Sequence, residues 1–392
     1  MPLFKQRVLT NDLRVKYALL GDEMELAEDV YLEWDDHGHF NYIEPNDRCG
    51  EVRDVLALPA LINAHTHVGD SFAKDLGINL SLEAVVAPPD GLKHRLLRET
   101  PKDRIQASIR DSLNLMLAGG TSGFADFREG GTPGVALLEE VLDPMLPKCY
   151  ILARWQHRIE ELVPLSGKIA GIGIVSSNDY SIEAIEKACQ FCKSRNLLIA
   201  MHVSETPAMR QKSIQTRGMS DIDFALQLGY PAILVHVTCA TGDEIKKFFD
   251  TNAKIVICPR SNSMLGGMAP PVARLADEQV NFALGTDNVM VNTPDLWQEL
   301  QFAIKIFRLQ APGNRIKPSF WFRSVTINPA MVLGVDRLRG SILVGKDADL
   351  CLVNLRIWNL NPTPDVETNV LLRGGPADID SVYYRGELAW KR

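Results

Sequence analysis

Leu58-Pro59-Ala60-Leu61-Ile62-Asn63-Ala64-His65-Thr66-His67 is a nearly uninterrupted apolar run that ends in two histidines. A strand with one face in water alternates apolar and polar residues, whereas a run apolar at successive positions must be covered on both faces, as in a parallel sheet. The same form recurs downstream. The pattern predicts strands over 58–64, 123–127, 150–155, 171–175, 197–202, 232–236, 254–258 and 281–285. Amphipathic stretches of helix length lie between them, and Gly119-Gly120 and Gly229-Tyr230-Pro231 punctuate the breaks. This rhythm predicts an α/β fold, a (β/α)8 barrel of the TIM type, over residues 58–337.

The flanks read differently. Residues 1–57 and 338–392 hold short alternating segments joined by turn residues such as Asp36-His37-Gly38 and Gly374-Gly375-Pro376. They predict a small β-sandwich assembled from both termini, with the barrel inserted between its halves. The stretch 70–101 is too long for an ordinary loop after the first barrel strand, so it is expected to be functional or locally helical.

Composition narrows the function. The chain has 392 residues, 46% of them apolar, enough for a large core. Lys and Arg number 42 against 49 Asp and Glu, a net charge of −7, and no basic tract stands out, so nucleic acid is not an expected partner. No apolar stretch approaches bilayer-spanning length, and Met1–Arg7 has no signal-like run, which predicts a cytoplasmic protein without a membrane partner. The seven Cys are scattered, most of them within apolar runs, as reduced thiols are. Cys189 and Cys192 fall on one face of an expected helix rather than in a redox turn. A small-molecule substrate is the expected partner, and a homo-oligomer is left open.

Chemistry concentrates at the strand ends. His65 and His67 occupy alternate positions of the first strand, so their imidazoles share a face. His202, His236 and Asp287 each end a different predicted strand, and in a parallel barrel all those ends meet at one rim. Five metal-competent residues therefore converge, which predicts a divalent metal site. His37-Gly38-His39 has the same spacing, but its turn setting predicts a solvated hairpin tip. Glu205, three residues past His202, is either a carboxylate near a helix start or a proton shuttle beside a metal-activated water, and its neighbour favours the second. Arg128 follows predicted strand two, Arg154 and Trp155 close strand three with His157 just beyond, and Arg260 and Asn262 follow strand seven; all six are candidates for binding substrate. A guanidinium matches a carboxylate or phosphate bidentately, so the expected substrate is anionic, held by Arg260 with help from Arg154 or Arg128, while Trp155 and His157 flank its ring.

Taken together, His65-Thr66-His67, His202 with Glu205, His236, Gly285-Thr286-Asp287 and the late segment Gly340–Leu350 resemble the amidohydrolase superfamily. Within it the pattern is most similar to the branch of cytosine deaminase, adenosylhomocysteine deaminase and triazine hydrolase. The resemblance implies that His65, His67, His202 and Asp287 bind one Zn2+, or alternatively Fe2+. It also implies that Glu205 is the general acid/base and that His236, with Asp287, serves catalysis by polarising the substrate. Binuclear relatives use a carbamylated Lys at the end of strand four, and residues 169–177 contain no Lys, so one ion is expected. The implied reaction is hydrolytic deamination of a heterocyclic amine. The same machinery would also suit a cyclic amide or amidine, or a dechlorination; a non-catalytic scaffold is the third reading, against which the intact Glu205 stands.

Overall fold

The structure is a computed structural model that describes residues 11–45, 50–86, 90–155, 158–228, 230–315, 317–362 and 364–392. Four strands come before the barrel: β1 (Asn11–Leu20), β2 (Glu25–Trp34), β3 (Phe40–Pro45) and β4 (Arg53–Pro59). The barrel strands are β5 (Leu61–His67), β6 (Thr121–Arg128), β7 (Lys148–Ala153), β8 (Gly171–Ile174), β9 (Leu198–Val203), β10 (Ile233–His236), β11 (Lys254–Ile257), β12 (Phe282–Leu284) and β13 (Asp287–Asn288). Three more follow them: β14 (Leu350–Asn354), β15 (Ile379–Tyr384) and β16 (Glu387–Lys391).

The deciding stretch proves to be two strands. β4 ends at Pro59 and β5 begins at Leu61, so Leu58 and Pro59 belong to the outer sheet rather than to the barrel. Both strands are covered on both faces, which leaves the apolar run without a visible break. Pro59, which lacks an N–H to donate, is the one residue in it that marks a strand end.

From β5 to β12 neighbouring strands pair in parallel, each with its sequential neighbour. The eighth barrel strand is interrupted at Gly285-Thr286, and its second piece, β13, pairs with β5 through Asp287 opposite Thr66 and Asn288 opposite His67. The result is a TIM-barrel-like α/β fold. A Cβ on Gly285 would stand 2.7 Å from the His65 Cβ and 2.9 Å from its backbone, so only glycine lets the two strands approach there. Asn63 spans the interruption with its side chain: its Nδ2 donates to Thr286 Oγ1 at 2.8 Å, and its Oδ1 accepts from Thr286 N at 3.1 Å.

The flanking segments, expected as a sandwich, hydrogen-bond into one seven-stranded sheet of order β16-β15-β14-β4-β1-β2-β3, so strands from both termini do meet. One side of it carries its own apolar cluster, including Val15, Val30, Leu32, Trp34, Phe40 and Leu352. Buried Arg339 ties this sheet to the barrel. Its guanidinium pairs with Asp349 at 2.5 Å, donates to Tyr150 Oη at 3.1 Å, and reaches the Ser122 carbonyl at 3.0 Å. Those partners stand before β14, in β7 and in β6 respectively.

The 70–101 stretch is partly helical. A 3-10 turn (Val68–Ala73) and the helices Leu82–Val86 and Leu92–Glu99 lie over the mouth of the barrel. Ala73, Val85 and Met290 form a small buried cluster there. Cys189 and Cys192 both face inward from the helix Ile182–Arg195, and burial pushes the Cys192 thiol up to about 12, so neither is poised for redox chemistry. His37 is exposed at the β2–β3 turn, while His39 pairs with Asp347 at 2.9 Å. Among the described residues no helix is long and apolar enough to cross a membrane.

Candidate metal centre and active site

At the C-terminal rim of the barrel His65, His67, His202, His236 and Asp287 come together, all buried. One ligand atom from each of His65, His67 and Asp287 lies within 4.8 Å of the others, and the same holds for His65, His202 and His236. Asp287 Oδ1 stands 3.3 Å from His65 Nε2 and 3.4 Å from His67 Nε2. Three of the strand ends here have left-handed backbone at residues other than glycine: Ser204 at φ 45°, His236 at φ 79° and Asp287 at φ 61°. Each such residue costs about 1–3 kcal/mol, and the surrounding barrel holds them there.

The electrostatics suit a cation. Burial holds the His65 and His202 imidazoles below their ordinary range and His67 down to about 3, so at neutral pH all three present lone pairs. Burial alone would raise the Asp287 carboxyl, but its contacts with His65, His236 and His67 hold it well below the usual range, hence ionised. Among the described residues Nδ1 of His65 and Nε2 of His202 are buried without a hydrogen-bond partner, and Nε2 of His65 has the Asp287 carboxylate beside it. Buried polar atoms are nearly always satisfied, and neutral imidazoles beside one carboxylate are the donor set of a zinc-type ion. Here the residues fit a divalent metal.

Glu205 lines the same cavity, and its Oε2 is 3.7 Å from His236 Nε2. Burial raises its carboxyl, which suits a group that must take up and release a proton. On the far side of His236, Asn262 Nδ2 donates to Nδ1 at 3.1 Å. That contact puts the ring proton on Nε2, which faces Glu205 and the cavity. Ser261 Oγ donates to Asp287 Oδ2 at 2.5 Å, leaving Oδ1 toward the histidines.

Residues 56–388 match the amidohydrolase family. The chain belongs to the amidohydrolase family. A Methanothermobacter thermautotrophicus protein provisionally named an aminohydrolase is 33% identical over 322 residues, 79% of this chain and 82% of its own. A 5-methylthioadenosine/S-adenosylhomocysteine deaminase of Moorella thermoacetica is 26% identical over 372 residues, 88% of this chain and 84% of its own. The solved adenosine deaminase of Xanthomonas campestris, with bound zinc, shares the fold at a TM-score of 0.81, covering 96% of this chain and 92% of that one at 20% identity. This amidohydrolase is thus a hydrolytic enzyme with a site for a divalent metal.

The substrate-side expectations fare unevenly. A cavity of about 290 Å3 opens on His67, His202, Glu205, His236 and Asp287, and Arg154 and Lys93 line it. Arg260 does not. Its Nη1 donates to the Thr293 carbonyl at 3.2 Å and faces Glu299 at 3.7 Å, beside a separate cavity of about 260 Å3. The helix that starts at Pro259 carries the guanidinium away from the metal side, so Arg260 is removed as the anchor of a substrate anion. Arg128 is buried between Asp126 at 3.6 Å and Glu129 at 3.5 Å and does not reach the cavity either. Trp155 packs on Tyr180 with ring centroids 4.7 Å apart rather than facing the cavity, Asn262 serves His236, and His157 lies outside the described residues.

Residues that the sequence reading missed include Glu129, Lys93, Asp70 and Glu299. Glu129 directly follows β6, and the strand-end rule would have found it. Glu299 is fully buried in the helix Leu296–Gln310 and accepts from Arg260 N at 2.9 Å. Burial outweighs the nearby guanidinium and pushes its carboxyl up to about 8, so near pH 7 the 3.7 Å contact with Arg260 is mostly that of a neutral acid. A raised acid favours the folded state at low pH. Stability is therefore expected to fall as pH rises from about 4.5 toward 8, at up to about 1.4 kcal/mol per unit. Glu299→Gln should flatten that slope in denaturant titrations; an unchanged pH dependence would refute the assignment.

Proposed function

We propose that this amidohydrolase deaminates a heterocyclic amine whose far end is anionic, using one zinc ion, with Fe2+ as the alternative. The observation that carries this reading is the group of buried, unpartnered imidazole nitrogens converging with Asp287 beside Glu205 in one cavity. On this reading His65, His67, His202 and Asp287 hold the ion. When bound, the ion supplies the Lewis acidity that makes water a nucleophile at neutral pH.

The chain's own residues do the rest. Glu205 takes a proton from the attacking water and delivers it to the exocyclic nitrogen, so that the carbon–nitrogen bond breaks and ammonia leaves, while the second water proton passes to the neighbouring ring nitrogen as the new carbon–oxygen bond becomes a carbonyl. His236, with its proton on Nε2, donates to a ring nitrogen beside the reacting carbon and so polarises that carbon. Asn262 keeps that proton in place. The names of relatives support an amine substrate: one acts on 5-methylthioadenosine and S-adenosylhomocysteine, another on adenosine. The expected domain division 1–57, 58–337 and 338–392 goes with this reading once Leu58 and Pro59, which end β4, are counted with the outer sheet that both flanks build.

Arg154 now carries the anionic end. Its guanidinium lines the cavity and, among the described residues, has the Glu129 carboxylate at 3.8 Å as its ion-pair partner. The test is a screen of heterocyclic amines for ammonia release by protein carrying one equivalent of zinc. Arg154→Met is expected to raise KM for an anionic substrate about thirtyfold or more, consistent with a lost contact of about 2–5 kcal/mol, while Arg260→Met leaves KM unchanged. Two tightly held ions, or no ammonia from any amine, would sink the proposal. Equal effects of the two arginine variants would sink the anion assignment.

A further inference from the structure

His67 is the metal-cluster histidine whose rear nitrogen meets a carboxylate. Its Nδ1 lies 2.7 Å from Glu129 Oε1, so Nδ1 carries the proton and Nε2 presents its lone pair toward Asp287 and His65. Among the described residues no such carboxylate backs His65: its Nδ1 has no hydrogen-bond partner, and Asp287 faces its Nε2. An imidazole that donates to a carboxylate is fixed in tautomer and made a better ligand.

Three cations surround Glu129, and they come from different places. Arg128 at 3.5 Å and Arg154 at 3.8 Å belong to the rim of the barrel itself. Lys93, whose Nζ is in direct contact with Glu129 Oε1, comes from the helix Leu92–Glu99 in the segment that lies over the mouth. It is 2% exposed. The same Nζ is 3.4 Å from Asp70 Oδ2, on the 3-10 turn that opens the segment. Asp70 in turn accepts from Asn288 Nδ2 at 2.8 Å and from Met290 N at 2.9 Å, just past Asp287. One ammonium thus touches, through single carboxylates, both the His67 side and the Asp287 side of the centre.

We propose that Glu129 is the positioning carboxylate of the metal centre and that Lys93 makes this positioning depend on the docked helix Leu92–Glu99. Docking of that helix and completion of the ligand geometry are then one event: a held ion fixes His67, His67 fixes Glu129, and Glu129 fixes Lys93 and its helix. The inference rests on the metal-centre reading above. A merely structural ion pair would support the fold without changing the ion's surroundings.

Three readouts test it: zinc affinity by chelator competition, the visible absorption of the cobalt(II)-loaded protein, and amide exchange along residues 92–99 with and without zinc. Glu129→Gln is expected to bind zinc about 10–100-fold more weakly and to shift the cobalt bands. In the unaltered protein zinc should slow exchange in residues 92–99. In Lys93→Met that slowing should disappear and zinc affinity fall, with Lys93→Arg restoring both in part. Unfolding curves of the metal-free variants identify any that fail to fold, and if Glu129→Gln is one, Lys93→Met carries the test on the same readouts. Unchanged affinity and cobalt bands in these variants, or exchange in the unaltered protein that ignores zinc, would overturn the proposal and leave the metal centre standing. An unaltered protein that binds no ion would remove both.

Discussion

Glu205→Gln is expected to keep its ion and lose about two to four orders of magnitude in turnover. Gln preserves the shape and hydrogen-bonding reach of the side chain but cannot carry a proton from water to a leaving nitrogen. The carboxylate suits that task because burial raises it while His236 Nε2 stands 3.7 Å away, so both protonation states are within reach during a cycle. The imidazoles and Asp287 remain, so elemental analysis should find the same zinc content. A Glu205→Gln enzyme with full turnover would move the proton transfer to another group; one that lost its zinc would make Glu205 a ligand instead.

Arg339→Met is expected to destabilise the protein by about 3–5 kcal/mol without touching the metal side. The substitution leaves the Asp349 carboxylate buried without its cation, and it also removes donors from Ser122 and Tyr150. Asp349 still accepts from Arg385 N at 2.8 Å, which compensates only in part. Replacing both partners, as Arg339→Met with Asp349→Leu, should recover some of the loss, because the stranded charge is then gone. Denaturant unfolding of the three variants decides this. A single variant as stable as the parent would show that the barrel and the outer sheet do not lean on this contact.

The fold was legible because burial writes itself into sequence. Strands covered on both faces read as continuous apolar runs, and β6 to β12 fell within a few residues of their expected places. The same signal hid the handover at Pro59, since β4 and β5 are both buried and only a missing donor separates them. The site was legible for a related reason: His65, His67, His202, His236 and Asp287 all stand at strand ends, and parallel topology brings such ends to one rim. The substrate side was harder. Arg154 and Arg260 both follow barrel strands, yet Arg154 enters the cavity while Arg260 turns to Thr293 and Glu299, and sequence spacing does not tell those directions apart. Lys93 was out of reach altogether. It sits in the helix Leu92–Glu99, which is placed by Leu92 and Leu96 packing on Ala73, Val85 and Met290, a contact that no period in the chain announces.

The interruption of the eighth barrel strand at Gly285-Thr286 has a mechanical consequence. β13 pairs with β5 at two positions, as few as β7 with β8 and against six between β6 and β7, and here the strand itself is also broken at Gly285-Thr286, so the cylinder has a short lengthwise seam, laced by the Asn63 side chain. His65 and His67 line one lip and Asp287 the other. On the proposed ligand set an ion would act as a clasp across that seam, and its binding free energy would count directly as resistance of the cylinder to splitting.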